Sequence, residues 1–133
     1  MYRISDLTED QVDDIEKRLE AYDGSFLPKP LQGQIQIGAF DGDQLIGGLD
    51  ASMASFRILY ISSLFVVEEY RRKGIGKSLM EEAERRAKEL GADMIRLDTF
   101  DWQGRDFYES IGFRRVGQYH AKDFSEYFYV KDI

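Results

Sequence analysis

A basic, glycine-containing segment between two hydrophobic stretches constrains the fold more than any other part of the sequence. The segment Arg71–Gly76 reads RRKGIG, follows an apolar run at residues 61–67 and precedes a long amphipathic stretch at residues 76–90. This order predicts a strand, a tight turn and a helix. The first turn of a helix presents free backbone N–H groups at the positive end of the helix dipole, and glycines let an anion approach closely. The segment is therefore a candidate phosphate-binding turn.

Two phosphate-binding patterns do not fit this segment, and a third does. The P-loop pattern matches at its end, where GKS begins at Gly76, but it needs a glycine where Arg71 stands. The dinucleotide-binding pattern matches Gly74 and Gly76 but has Leu79 where close helix packing needs a small residue. The pattern R/Q-x-x-G-x-G/A, placed between a strand and a helix, fits throughout.

A second segment, further along the chain, belongs with the third pattern. Residues 106–113 read DFYESIGF, which resembles the F-Y-E-x-x-G-F element of the GNAT superfamily of N-acetyltransferases. The pattern R/Q-x-x-G-x-G/A is the acyl-CoA signature of the same family. Both motifs stand in the family's order and separation, and the resemblance covers about residues 35–130. It implies an enzyme that moves an acetyl group from acetyl-CoA directly to a primary amine of a small acceptor.

The resemblance also implies roles for particular residues. In the family, a strand pairs with the pantetheine arm and polarises the thioester, and the turn after it holds the pyrophosphate. A tyrosine that matches Tyr108 acts as general acid, because a phenol with a pKa near ~10 is protonated at neutral pH and can donate to a departing thiolate. The cofactor-binding positions correspond to Leu64, Phe65, Val66, Arg71, Arg72, Lys73, Gly74, Ile75, Gly76, Lys77 and Ser78.

The general base stays open at this point, and a water chain is an alternative to any side chain. The candidates, all near predicted strand ends, are Glu68, Glu69, Asp98 and Asp50. An asparagine and an alanine that often precede the family's tyrosine are replaced here by Asp101 and Gly104. The aromatic-rich loop at residues 99–103 either lines the acceptor or pantetheine channel or buries Trp102 in packing.

Composition limits the chemistry and the partners. The absence of cysteine excludes disulfides, thiolate zinc sites and an acyl-cysteine intermediate, and the single histidine, His120, excludes a multi-histidine site, so we expect no metal. With a net charge of −7 and one compact basic cluster, nucleic-acid binding is disfavoured. No apolar run approaches the ~20 residues of a membrane span. We expect a cytoplasmic protein with no membrane partner, and a homodimer is allowed.

The negative charge is concentrated in the N-terminal half. Residues 1–63 contain 5 Lys or Arg against 11 Asp or Glu, whereas residues 64–133 contain 13 against 14. In GNAT proteins the N-terminal helical region grips the acceptor. This acidic region therefore either attracts a cationic amine or is only a solvated surface.

The hydrophobic pattern predicts one α/β domain over residues 1–133. We expect a central mixed, mostly antiparallel sheet with helices on both faces and a parallel strand–helix–strand unit around the glycine turn. Thr8 and Gln11 predict a capping box at the start of the first helix. The predicted strands are 2–4, 34–40, 44–53, 57–67, 94–100, 113–118 and 125–131; the helices are 8–22, 76–90 and 105–111; loops lie at 27–33 and 41–43.

Two other functions fit part of the sequence. A catalytically silent acyl-CoA-binding or regulatory module would keep the glycine turn and lose Tyr108, which is present. A nucleotide-binding phosphotransferase would need a glycine at position 71, where the sequence has Arg71.

Overall fold

The computed structural model describes residues 1–27, 31–54 and 56–133. Residues 28–30 of the predicted loop at 27–33 lie outside the described residues. None of the helices in the described part has the length and apolar character needed to cross a membrane. The helices are α1 (Glu9–Asp23), α2 (Ile75–Glu89) and α3 (Arg105–Ser110), and the strands are β1 (Gln34–Asp41), β2 (Gln44–Met53), β3 (Ile58–Val66), β4 (Met94–Phe100), β5 (Arg114–His120) and β6 (Ser125–Asp132).

The strands form one mixed sheet of order β1-β2-β3-β4-β6-β5 within the described residues. The predicted hairpin of β1 and β2 is confirmed, but Asp41 pairs with Gln44, so its loop has two residues and the predicted three-residue loop is wrong. Gly42 has a φ of +60°, as tight two-residue hairpin turns require. The predicted parallel unit of β3, α2 and β4 is confirmed.

Helices α2 and α3 pack on the same face of the sheet. The spacing of apolar residues along α2 buries Leu79, Met80, Ala83 and Ala87. These side chains belong to one core cluster with alternate residues of the strands and with Tyr108 of α3, and the strand residues include Leu59, Ile61, Ile95, Leu97, Tyr127 and Tyr129. We call the opposite side of the sheet the outer face.

The parallel strands β3 and β4 separate along their length. They pair from Ile58 and Met94 to Tyr60 and Arg96, and no further pairs follow between residues 61–66 and 97–100. The backbone groups that β3 presents toward β4 beyond Tyr60 therefore have no strand partner in the described part of the chain. We call this opening between β3 and β4 the wedge.

Residues 1–27, which we call the arm, do not join the sheet. The capping box at Thr8 is confirmed, but none of the residues in α1 is buried against the described part of the chain. The predicted strand at Tyr2–Ile4 is wrong, since Tyr2 and Ile4 are each 90% exposed and have no neighbouring strand. Helices were expected on both faces, yet within the described residues of one chain no helix covers the outer face.

Candidate functional site

The glycine turn lies at the open end of the wedge. Strand β3 ends at Val66, a short 3₁₀ turn follows at Glu68–Tyr70, and α2 begins at Ile75. Gly74 caps α2 with a φ of +83°, a conformation that favours glycine, and no side chain caps the first turn. A Cβ at Gly74 would meet nothing within 4 Å. The space beside Gly74 is therefore open, and the first N–H groups of α2 have no side-chain cap, as an anion site requires.

Gly76 has a packing role that the sequence did not reveal. A Cβ built at Gly76 would lie 3.3 Å from Cζ of Phe107, which belongs to α3. The missing side chain at Gly76 lets α3 approach the first turn of α2. This contact places the residue after Phe107, the candidate acid Tyr108, on the helix next to the glycine turn.

The basic side chains of the turn do not all point toward the helix start. Arg71 Nε donates to the carbonyl oxygen of Val66 at 2.8 Å, and the Arg71 guanidinium lies 5.2 Å from the centre of the Phe65 ring. Lys73 Nζ lies 5.3 Å from the centre of the Tyr70 ring. Arg71 thus contacts the end of β3 rather than the start of α2. Arg72, Lys77 and Ser78 are exposed around it.

Tyr108, the candidate acid, is buried in the core. Its ring contacts those of Phe107, Phe113 and Tyr129, with centroid distances of 5.2, 5.8 and 6.4 Å. Burial raises the pKa of Tyr108 to about 12. The phenol therefore keeps its proton throughout the neutral range. A Cβ at Gly104 would lie 3.2 Å from Cε2 of Tyr108, so glycine in place of the family's alanine makes room for this ring.

Two carboxylates lie on the outer face beside the wedge. The Tyr60 hydroxyl of β3 donates to Asp98 Oδ2 of β4 at 3.1 Å, and the Tyr119 hydroxyl donates to Glu126 Oε1 at 2.9 Å. Burial, followed by the charge of Asp98, raises the pKa of Tyr60, and Glu126 adds to the rise, whereas the Arg96 guanidinium, 4.4 Å from the centre of the Tyr60 ring, opposes it. The hydrogen bond to Glu126 raises the pKa of Tyr119, and the charge of Asp98 contributes. Asp98 and Glu126 therefore share one electrostatic environment.

The other candidate bases lie elsewhere. Asp50 accepts from Gln36 Nε2 at 3.1 Å on β1, and Glu68 and Glu69 are exposed in the 3₁₀ turn. Among the four candidates, all of them described, Asp98 is the one beside the start of the wedge. Sequence reasoning missed Glu126 altogether, although its alternation with buried Tyr127 on β6 would have placed it on the outer face.

The loop after β4 is held by its own polar side chains. Gln103 Oε1 accepts from the backbone N–H of Phe100 at 2.8 Å, and Asp101 Oδ2 accepts from the backbone N–H of Ser125 at 2.7 Å. Trp102 is 69% exposed, so its burial is excluded, and it stacks on Phe100 with a centroid distance of 5.0 Å. The loop thus presents an aromatic surface next to Glu126, which pairs with Phe100 across the strands.

Two cavities flank the first turn of α2. One of about 510 Å³ lies toward β1 and is lined by Gln36, Gly74 and Ser78 among others. The other, about 290 Å³, lies between α2 and α3 and includes Lys77 and Ser110. Neither cavity is lined by Tyr108 or Asp98. The first cavity includes Lys73, Gly74 and Ile75 of the glycine turn, whereas the second includes Lys77 alone from this segment.

The chain is similar to known acetyltransferases in sequence. The model of the Acetyltransferase (GNAT) family matches residues 2–113. The L-ornithine N5-acetyltransferase of Arabidopsis thaliana is 38% identical over 55 residues, which are 40% of this chain and 24% of that protein. The blasticidin-S acetyltransferase of Streptomyces morookaense is 30% identical over 87 residues, which are 65% of this chain and 63% of that protein. The chain thus spans less than two thirds of the length of these curated relatives.

The solved structures agree with the family match. An acetyltransferase from Bacillus cereus superposes with a TM-score of 0.88 at 29% identity, covering 99% of this chain and 98% of that one. An aminoglycoside 6'-N-acetyltransferase complexed with coenzyme A shares the fold, with a TM-score of 0.68 at 21% identity over 74% of this chain and 72% of that one. With the family model matching most of its length, the chain belongs to the GNAT family of acetyltransferases.

Proposed function

We propose that this protein transfers an acetyl group from acetyl-CoA to a primary amine of a small cationic acceptor. The observation that carries the proposal is the wedge between β3 and β4. The uncapped start of α2 follows the end of β3, Tyr108 belongs to the core on one face of the sheet, and Asp98 lies on the other face.

The residues around the wedge fit an acyl-CoA. The backbone of Leu64, Phe65 and Val66 offers N–H and C=O groups toward the gap, and an amide-bearing pantetheine arm can pair with such an edge as an added strand would. The space above Gly74 suits a pyrophosphate on the first N–H groups of α2. Arg72, Lys73, Lys77 and Ser78 surround that position, and Lys77 leads into the cavity between α2 and α3.

Acid catalysis falls to Tyr108. When the amine nitrogen bonds to the thioester carbon and the carbon–sulfur bond breaks, the sulfur leaves with the bonding electrons and takes the phenol proton. Because burial keeps Tyr108 protonated, the proton is available whenever the acetyl donor is in place. The phenolate is then reprotonated from solvent. General acid catalysis of this kind typically contributes ~10²–10⁴-fold.

Base catalysis and acceptor binding fall to the outer face. Asp98, directly or through one water, takes the proton that the attacking amine must lose, and Tyr60 holds its carboxylate in place. Glu126 adds a second negative charge, and Phe100, Trp102 and Phe124 form an aromatic surface beside it. Carboxylates and aromatic faces both attract cations, so an acceptor with more than one amine suits this surface.

The amines named for the relatives agree with that surface. Ornithine and thialysine, the substrates named for two of them, each carry a side-chain amine. The proposal for this chain is therefore a diamine or larger polycationic amine, with the acetylated nitrogen at Asp98 and a second cationic group near Glu126.

The test is acetyl-CoA turnover followed by release of free thiol. The panel contains a polyamine, ornithine, an aminoglycoside, a neutral monoamine and glutamate. We expect thiol release with the cationic amines and little with glutamate. If CoA binds but no amine is acetylated, the protein is a catalytically silent CoA-binding module. If magnesium-ATP binds and CoA does not, the protein is a nucleotide-binding phosphotransferase.

A further inference from the structure

We propose that this protein forms a dimer by exchanging arms, so that α1 of each chain packs on the outer face of the other. The exchanged helix then closes the acceptor side of the partner's wedge. This last part rests on the proposed function, whereas the exchange itself does not.

The arm carries an apolar stripe that its own chain leaves uncovered. Val12, Ile15, Leu19 and Tyr22 recur at helical spacing in α1 and are between 41% and 65% exposed. None of the α1 residues is buried in the described structure. Because an amphipathic helix of this length is stable in water mainly when its apolar face is packed, the stripe requires a partner surface.

The outer face offers a matching apolar surface on β1, β2 and β3. Phe40 and Leu45 lie side by side, since both are nearest neighbours of a Cβ built at Gly38. Gly38 pairs with Gly48, and Gly48 pairs with Phe65 on the next strand. The three large side chains are each about 60% exposed. Exposed apolar patches on a folded protein commonly mark interaction sites.

The charges of the two surfaces are complementary. The arm contains eight Asp or Glu against three Lys or Arg. The Arg71 guanidinium lies over the ring of Phe65 and therefore borders the apolar patch. An acidic helix docked on this patch meets that positive charge.

The position of the arm is shared with a protein solved in a crystal. The acetyltransferase from Bacillus cereus superposes with a TM-score of 0.88 over 99% of this chain. The arm is 27 of the 133 residues, so the remaining 106 residues would limit the score to about 0.80 if the arm did not superpose. Part of the arm must therefore extend in the same way in that protein. An arm held away from its own sheet in both proteins favours docking on a second copy over folding back.

The area available suits a stable dimer. Seven apolar side chains of the arm are between 41% and 69% exposed: Leu7, Val12, Ile15, Leu19, Tyr22, Phe26 and Leu27. Burying roughly 80 Å² of each would remove about 550 Å² per arm from water. Each arm also covers a similar area of the partner's sheet, and the contact is made twice in the dimer. The total buried area is therefore about 2,000 Å², at the upper end of the ~1,200–2,000 Å² of stable interfaces.

Disulfide cross-linking tests which sheet the arm covers, because the chain has no cysteine of its own. In the double variant Leu19→Cys/Phe40→Cys, exchange gives a covalent species of twice 15.5 kDa on a non-reducing gel. The matched control Ala21→Cys/Phe40→Cys places the thiol on the other side of α1 and should run as a single chain of 15.5 kDa on the same gel. A Leu19→Cys/Phe40→Cys band at 15.5 kDa without free thiol would show that the arm covers its own sheet, and free thiols throughout would show no docking on this patch. Either result overturns the proposal.

Light scattering provides a second measurement. The wild-type protein and Ala21→Glu should be dimers at tens of micromolar, whereas Leu19→Glu should be a folded monomer that loses at most the helical circular dichroism of α1. A monomeric wild type, or a Leu19→Glu protein that stays dimeric, contradicts the exchange.

If the protein acetylates amines, Leu19→Glu should raise the KM for the amine several-fold and leave the KM for acetyl-CoA unchanged. If the wild type and Leu19→Glu have the same KM for the amine, the arm has no role at the wedge. If the wild type has no acetyltransferase activity, the proposed function is wrong, but the cross-linking result still tests the exchange.

Discussion

The hydroxyl of Tyr60 donates to Asp98 across the point at which β3 and β4 stop pairing, with an oxygen–oxygen distance of 3.1 Å. This hydrogen bond holds a carboxylate on the outer face at the start of the wedge, whereas Tyr108 belongs to the core on the opposite face. The proposed acid and the proposed base therefore lie on the two faces of one sheet.

Replacing Asp98 tests the base. Asp98→Asn still accepts the Tyr60 hydroxyl but cannot take a proton, so kcat/KM for the amine should fall ~10²-fold or more at neutral pH. Tyr60→Phe should give a smaller loss, because the carboxylate remains and loses only its positioning. The matched control is Asp50→Asn on the same face, which should keep wild-type kinetics. If Asp98→Asn keeps its full kcat/KM, Asp98 is not the base, and a chain of water molecules takes the proton instead.

Tyr108→Phe tests the acid. The variant keeps the aromatic ring among Phe107, Phe113 and Tyr129 and removes one hydroxyl. We expect kcat to fall by ~10²–10⁴-fold with little change in the KM for acetyl-CoA. Phe107→Leu is a suitable comparison in the same helix, since it alters packing and leaves the phenol. Nearly full kcat in Tyr108→Phe would assign Tyr108 to the core alone.

The same residue predicts how stability depends on alkaline pH. Folding raises the pKa of Tyr108 from its ordinary value near 10 to about 12, so the folded state holds the proton more tightly than the unfolded state. Its contribution is complete below pH ~10 and is lost as the pH rises toward ~12, by about 2–3 kcal/mol. Urea unfolding at pH 9 and pH 11 should show a larger loss for the wild type than for Tyr108→Phe. If both proteins lose the same free energy of unfolding between pH 9 and pH 11, burial does not raise the pKa of Tyr108.

The two glycines of the turn should respond differently to alanine. Gly74→Ala must adopt a positive φ at a cost of about 1 kcal/mol and brings a methyl group into the open space above the turn, so CoA binding measured by calorimetry should weaken strongly. Gly76→Ala brings a methyl group to 3.3 Å from Cζ of Phe107 and adds none to the open space above Gly74, so it should weaken CoA binding much less than Gly74→Ala does. CoA affinity unchanged in Gly74→Ala would exclude this turn as the pyrophosphate site.

Local features of the chain were predictable because they depend on neighbours in sequence. The capping box at Thr8 and strand β4 were predicted at their observed positions, and α2 and β6 within one or two residues. Helical spacing predicted the buried face of α2, whereas Tyr108 was placed on a short helix after β4 through its resemblance to the family's F-Y-E element.

The sequence by itself determined the glycine turn, the order of strands and helices, and the residues that resemble the family's cofactor and acid positions. The tertiary structure decided the rest. Pairing between β3 and β4 ends at Tyr60, whose hydroxyl bonds to Asp98 on the neighbouring strand. These two residues are 38 positions apart in the sequence, so no local pattern predicts the contact. Arg71 turns back to Val66 because that carbonyl lies within reach only in the folded turn. The arm fails to form a strand at Tyr2–Ile4 because a strand needs a neighbour to satisfy its backbone groups, and the described residues of a single chain place none beside it.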